Sequence, residues 1–163
     1  MNAIAQLEDR LAIEDVLRNY CRGVDRADAD LIASAYHADA HDDHGNFKGS
    51  GHDFARQLLQ QVGERWLASQ HQLHQTNIEF AQDTAWVETY FTAYHRVREK
   101  DREQLEVFGG RYIDQFEQRS GRWAISQRTV VYDWSKVEQV ARAYPHENFV
   151  QGLRSGADLS YTR

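Results

Sequence analysis

Residues 84–117, TAWVETYFTAYHRVREKDREQLEVFGGRYIDQFE, decide the fold. Aromatic and β-branched side chains crowd the stretch at a period of two, so it reads as two long strands, 84–98 and 103–117, turned at REKD. The pattern continues on both sides. Residues 70–80 precede it across AQD and residues 122–134 follow across QRSG, which makes an antiparallel meander of four long strands. Upstream of residue 70 the period is that of a helix. Leu7, Leu11, Leu17, Cys21 and Val24, with Ile13, Val16 and Tyr20, recur every three or four residues over 3–25. A second helix is expected in ADLIASAYH, capped by Asp28 or Asp30, with Leu31, Ile32, Ala35 and Tyr36 on its inner face. A third is expected from about His52 to Ala68, with Phe54, Leu58, Val62 and Trp66 at spacings of four. Between them HADAHDDHGNFKGSG predicts a short hairpin around Gly45 and Asn46, and a short helix is expected over 135–143, before Pro145. Helices first and strands afterwards indicate an α+β domain whose sheet packs its concave face on the helices.

Composition narrows the function. The 163 residues fit one domain, and a chain of this size buries roughly 70% of the surface its unfolded form exposes. A net charge of -6 with no basic run argues against nucleic-acid binding, which needs cations to neutralise phosphates. Nothing approaches the ~18 apolar residues of a membrane span. MNAIAQLEDR lacks the charged and then apolar pattern of a secretory signal, so a cytoplasmic protein is expected. The single cysteine, Cys21, excludes an internal disulfide and reads as a small core residue on an apolar stripe.

Three charged or titratable residues stand where the pattern wants apolar side chains. Leu17, Cys21 and Asp25 are four apart, so either the first helix has ended by residue 25 or Asp25 points into a cavity, where its charge needs a partner. His74 is the expected partner. By alternation His74, Thr76, Ile78 and Phe80 share one face of their strand, and His71, Leu73 and Gln75 the other, so the two histidines do not converge on a metal. Arg128, in WAISQRTVVYDW, either lines a cavity or pairs with Asp114 or Glu117 on the neighbouring strand. The cluster His37, Asp39, His41, Asp42, Asp43 and His44 reads as a solvated hairpin, since Asp39, His41 and Asp43 on one side match the two-histidine-one-carboxylate metal set only loosely.

The segments LEDRLAIEDVLRNYCRGVDRADADLIASAYHADA, HQLHQTN and FGGRYIDQFEQRSGRWAISQR, in this order and separation, resemble the SnoaL-like branch of the nuclear-transport-factor-two-like superfamily, across residues 5 to 135. The resemblance implies a cystatin-like, cone-shaped α+β barrel, with the N-terminal helices packed in a curved antiparallel sheet. Within that branch the chain is similar to the lyase group that includes lindane dehydrochlorinase and bile acid 7α-dehydratase, with scytalone dehydratase more distant. The group's aspartate, histidine and arginine fall on Asp25, His74 and Arg128, and the dehydratase's tyrosine falls on Tyr20.

The function so implied is a lyase without cofactor or metal, acting on a small, apolar, cyclic substrate. His74, steered by Asp25, would take a proton from carbon, Arg128 would hold the developing anion, and Tyr20 would donate to an oxygen. Phe54, Leu58, Trp66, Tyr90, Phe108 and Tyr132 are candidate walls of its pocket, and each is also a credible core residue. No glycine-rich phosphate loop or CxxC is present, and Gly109–Gly110 reads as a bulge that curves the sheet. A barrel domain over 1–135 is expected, followed by an extension over 136–163 that contacts a neighbour in a homotrimer or homodimer. The alternatives are a non-catalytic small subunit of an aromatic-ring-hydroxylating dioxygenase, a ketosteroid-isomerase-like enzyme using Asp25 as base, and a pure ligand-binding module.

Overall fold

The computed structural model describes residues 3–100, 102–140 and 147–162. Three helices, α1 (Ala3–Arg26), α2 (Ala29–Ser34) and α3 (Gly51–Val62), precede the four long strands, with two short strands between α2 and α3. Six strands, β1 (Tyr36–Asp43), β2 (Lys48–Ser50), β3 (Trp66–Ala81), β4 (Thr84–Glu99), β5 (Arg102–Arg119) and β6 (Arg122–Gln139), form one sheet in the order β2-β1-β6-β5-β4-β3. All neighbours are antiparallel except β1 and β6, which run parallel. The sheet curves without closing, and its concave side receives the helices. Ile13, Leu17, Tyr20 and Val24 of α1 are buried there with Phe91, Tyr112, Phe116 and Ile125 of the long strands. Cys21 is buried in the same layer, and burial pushes its thiol pKa up to about 12, as a core residue requires.

Local chemistry sets the boundaries. Asp28 caps α2 by accepting from the Leu31 amide, and α2 stops at Ser34, so Ala35 and Tyr36 leave the expected helix and Tyr36 opens β1. Ser50 caps α3. At the other end Gly63, at φ 38, ends α3 well short of the expected Ala68, and a single tight turn leads into β3. Trp66 is therefore the first residue of a strand rather than the last turn of a helix. Ser120 and Gly121, both at positive φ, join β5 to β6 in the primed hairpin turn that matches strand twist. The expected bulge is present at Gly109 and Gly110. A Cβ on Gly109 would lie 2.2 Å from the Trp134 indole and one on Gly110 2.3 Å from the Val131 carbonyl, so only glycine lets the strands bend here. Residues 135–139 continue β6 instead of forming the expected helix, whose remainder at 141–143 lies outside the described residues. Among the described residues no helix is long and apolar enough to cross a membrane.

Candidate active site

The cone encloses a cavity of about 350 Å³. α1 contributes Tyr20 and Val24, one turn apart; α3 contributes Phe54 and Leu58, also one turn apart. Trp66 and His71 come from β3, Phe91, Ala93 and His95 from β4, Phe108 and Tyr112 from β5, and Val130 from β6. His44, just past β1, adds to the wall, and Glu106, Ser135, Lys136 and Val137 of β5 and β6 also line the cavity.

Asp25 meets His71, not His74. Its Oδ1 lies 2.7 Å from His71 Nδ1 and receives the Ser69 hydroxyl at 2.8 Å, while Oδ2 receives the His71 backbone amide at 3.0 Å. The last bond is available because β3 is the edge of the sheet, where alternate amides point away from β4 and seek other acceptors. Burial opposes the charge on Asp25, but the hydrogen bonds it accepts from His71 and Ser69 outweigh it and lower the carboxyl pKa below its ordinary value. A carboxylate accepting at Nδ1 fixes the His71 tautomer with its hydrogen there and its lone pair at Nε2. Nε2 has no hydrogen-bond partner among the described residues, and the ring lies between the cavity and an outer groove lined by Glu14, Asp25 and Arg26.

A bulge explains the exchange of histidines. Register between β3 and β4 shifts between Leu73 and Thr76, so sidedness changes there. Ser69, His71 and Leu73 face inward before it and Thr76, Ile78 and Phe80 after it, while His74 is exposed and bonds Thr92 Oγ1 at 2.8 Å. Simple alternation puts the two halves of the strand on opposite faces, which is the error in the expected Asp25–His74 pair.

Arg128 takes the ion-pair alternative. It is 1% exposed, forks onto Asp114 with two bonds of 2.7 Å, and does not line the cavity, so its charge is spent on Asp114 rather than on a departing anion. Asp42, Arg128 and Asp114 stand side by side on β1, β6 and β5, and the guanidinium lies 4.3 Å over the Tyr20 ring and 4.1 Å over Tyr112. Tyr20 reaches the cavity as expected; its hydroxyl is 3.1 Å from His44 Nε2, and His44 Nδ1 bonds Asp42. The segment read as a solvated hairpin is thus solvated on one side only. Asp39 and His41 face out, whereas Ala40 and Asp42 are buried and His44 is partly buried against Phe54, ring centroids 3.9 Å apart.

Of the expected walls, Phe54, Leu58, Trp66 and Phe108 line the cavity. Tyr90 and Tyr132 do not. Inward positions on β4 fall at Phe91, Ala93 and His95, which turns Tyr90 outward under Arg111, and Tyr132 is 60% exposed beyond the Gly109–Gly110 bulge. His95, which no pattern in the sequence singles out, stacks on Trp66 at 3.7 Å and stands 5.5 Å from the His71 ring. Burial drives its pKa down to about 3, so it is neutral, and its Nε2 is buried without a hydrogen-bond partner among the described residues.

The model of the SnoaL-like domain matches residues 5–129, and the chain belongs to that family. A search of curated proteins finds no match. Among solved structures, a candidate scytalone dehydratase from Novosphingobium aromaticivorans is 21% identical with a TM-score of 0.74, over 90% of this chain and 98% of its own. A hexachlorocyclohexane dehydrochlorinase from Novosphingobium barchaimii is 22% identical with a TM-score of 0.77, over 88% and 99%. A candidate aromatic ring hydroxylase from Novosphingobium aromaticivorans is 24% identical with a TM-score of 0.71, over 82% and 94%. At these identities the likeness is one of fold, and it agrees with the cone described above.

Proposed function

We propose that the chain is a cofactor-independent lyase that removes a proton from carbon of a small, largely apolar cyclic molecule and expels water or halide, with His71 as the base. The observation that carries this reading is the His71 ring, held through Nδ1 by an ionised, half-enclosed Asp25 while it lines the cavity and its Nε2 has no hydrogen-bond partner among the described residues. Such a base needs its lone pair free and its far nitrogen anchored by an acceptor that stabilises the imidazolium once the proton arrives. Asp25 is itself fastened by Ser69 and the His71 amide, so the pair is held before substrate enters. Cavity walls of Phe54, Phe91 and Phe108 are apolar and suit a ring. The likeness to a dehydrochlorinase and to a candidate scytalone dehydratase, both of which expel a small leaving group, supports the same reading.

The test is alkene formation from a panel of cyclic alcohols and halides, followed by gas chromatography. Replacing His71 by Ala is expected to cost ~10²–10⁴ in rate, the usual worth of a positioned base, whereas His74→Ala stays within a few-fold of wild type. Equal rates for wild type and His71→Ala overturn the proposal. The likeness to a candidate ring hydroxylase favours a second reading, a non-catalytic partner of a ring-hydroxylating oxygenase. That reading requires co-purification with a larger iron-containing chain and full function after His71→Ala.

A further inference from the structure

The proposed elimination uses one carboxylate-held histidine, and the cavity contains two. His44 bonds Asp42 through Nδ1, and the second oxygen of Asp42 receives the Tyr36 hydroxyl at 2.6 Å. Carboxylate oxygens accept, so the hydrogen of the His44 ring sits on Nδ1 and Nε2 presents a lone pair. Burial draws the His44 pKa down against the pull of Asp42, which keeps the ring neutral and this tautomer in place near pH 7. Tyr20, 3.1 Å from that lone pair, is therefore the donor. Its single proton is committed to His44, and what the phenol offers the cavity is an oxygen that accepts.

The arm is held on every side. The Arg128 guanidinium and the edge of Tyr112, with ring centroids 5.7 Å apart, fix the Tyr20 ring, and Phe54 stacks on His44. Tyr20 and His44 line the same cavity as His71 but come from α1 and the β1–β2 turn rather than from β3. We propose that Asp42, His44 and Tyr20 form an acceptor arm that takes a hydrogen bond from a hydroxyl on the substrate ring, so that the site is built for a phenol or enol rather than for a halogenated hydrocarbon. This deepens the lyase reading, on which its relevance to turnover rests, but the recognition itself is a matter of binding. A ring without a hydroxyl would bring no donor to the Tyr20 oxygen, and sites that bond a ligand hydroxyl discriminate strongly against analogues that lack one.

The experiment titrates 2-naphthol and its methyl ether, 2-methoxynaphthalene, into the full chain at pH 7 by isothermal calorimetry. Wild type is expected to hold the naphthol at least about tenfold more tightly than the ether. Tyr20→Phe, which keeps the stacked ring, and His44→Leu, which removes the acceptor behind it, are each expected to bring the ratio close to one. In His71→Ala the ratio is expected to persist, which separates this arm from the base: lost elimination with retained discrimination disproves neither. Equal affinities in wild type, a ratio unchanged in Tyr20→Phe, or no naphthol binding up to its solubility overturns the proposal.

Discussion

Arg128 is the largest fully buried side chain among the described residues. Both it and Asp114 are fully buried, and its second terminal nitrogen has no hydrogen-bond partner among the described residues. Removing one member of such a pair leaves an uncompensated charge, so Asp114→Asn is expected to cost about 3–5 kcal/mol in urea unfolding. A loss under about 1 kcal/mol, typical of exposed pairs, would mean that the guanidinium finds water. At this scale the sequence was informative about charge and poor about direction. Asp25 and Arg128 announce themselves because each interrupts an apolar stripe, and the structure gives both of them partners. His44 makes no such announcement. Its neighbours His41, Asp43, Gly45 and Asn46 are polar or turn-forming, and the signal that could have found it was the alternation Ala40, Asp42, His44, which is the buried side of β1 carried one residue past its end.

At the scale of elements, long strands and helices were legible because their periods persist over many residues, and their ends were not where one residue decides. Gly63 shortens α3, and Trp66 changes from helix to strand as a result. The bulge between Leu73 and Thr76 has no glycine to mark it, and no propensity betrays it. The tail past residue 146 was opaque for a different reason: it is held by specific bonds rather than by a pattern. Arg154 reaches the Trp66 and Val24 carbonyls at 3.2 and 3.3 Å and lies 5.5 Å over the Trp66 ring, while Tyr161 bonds Asp28 at 2.8 Å. The tail thus pins the end of α1 to the start of β3, on either side of Asp25. Arg154→Ala is expected to lower stability by about 1.5–3 kcal/mol, the worth of hydrogen bonds from a charged group, and to alter Trp66 fluorescence. An unchanged urea midpoint and spectrum would show the tail to be ornamental.

For the whole molecule the consequence lies in acid. In the unfolded chain His95 takes a proton below its ordinary value of 6.5, whereas in the folded chain burial holds it neutral down to about 3. Within that window the unfolded state binds one more proton, so stability is full above 6.5 and falls as pH falls, by ~1.4 kcal/mol per pH unit for each such histidine. His44, shifted in the same direction by burial, adds to the slope. Urea unfolding between pH 6.5 and 4.5 is expected to show this loss, with a shallower slope in His95→Gln; parallel slopes would contradict it. The bulge in β3 has a wider bearing. An extra residue there is absorbed by the strand without disturbing the wall it builds, so two related chains can differ by one in their count and still present the same imidazole to the same space. Comparison between them belongs to the side of the sheet on which a residue stands, and a gap placed after Leu73 is a statement about geometry before it is one about ancestry.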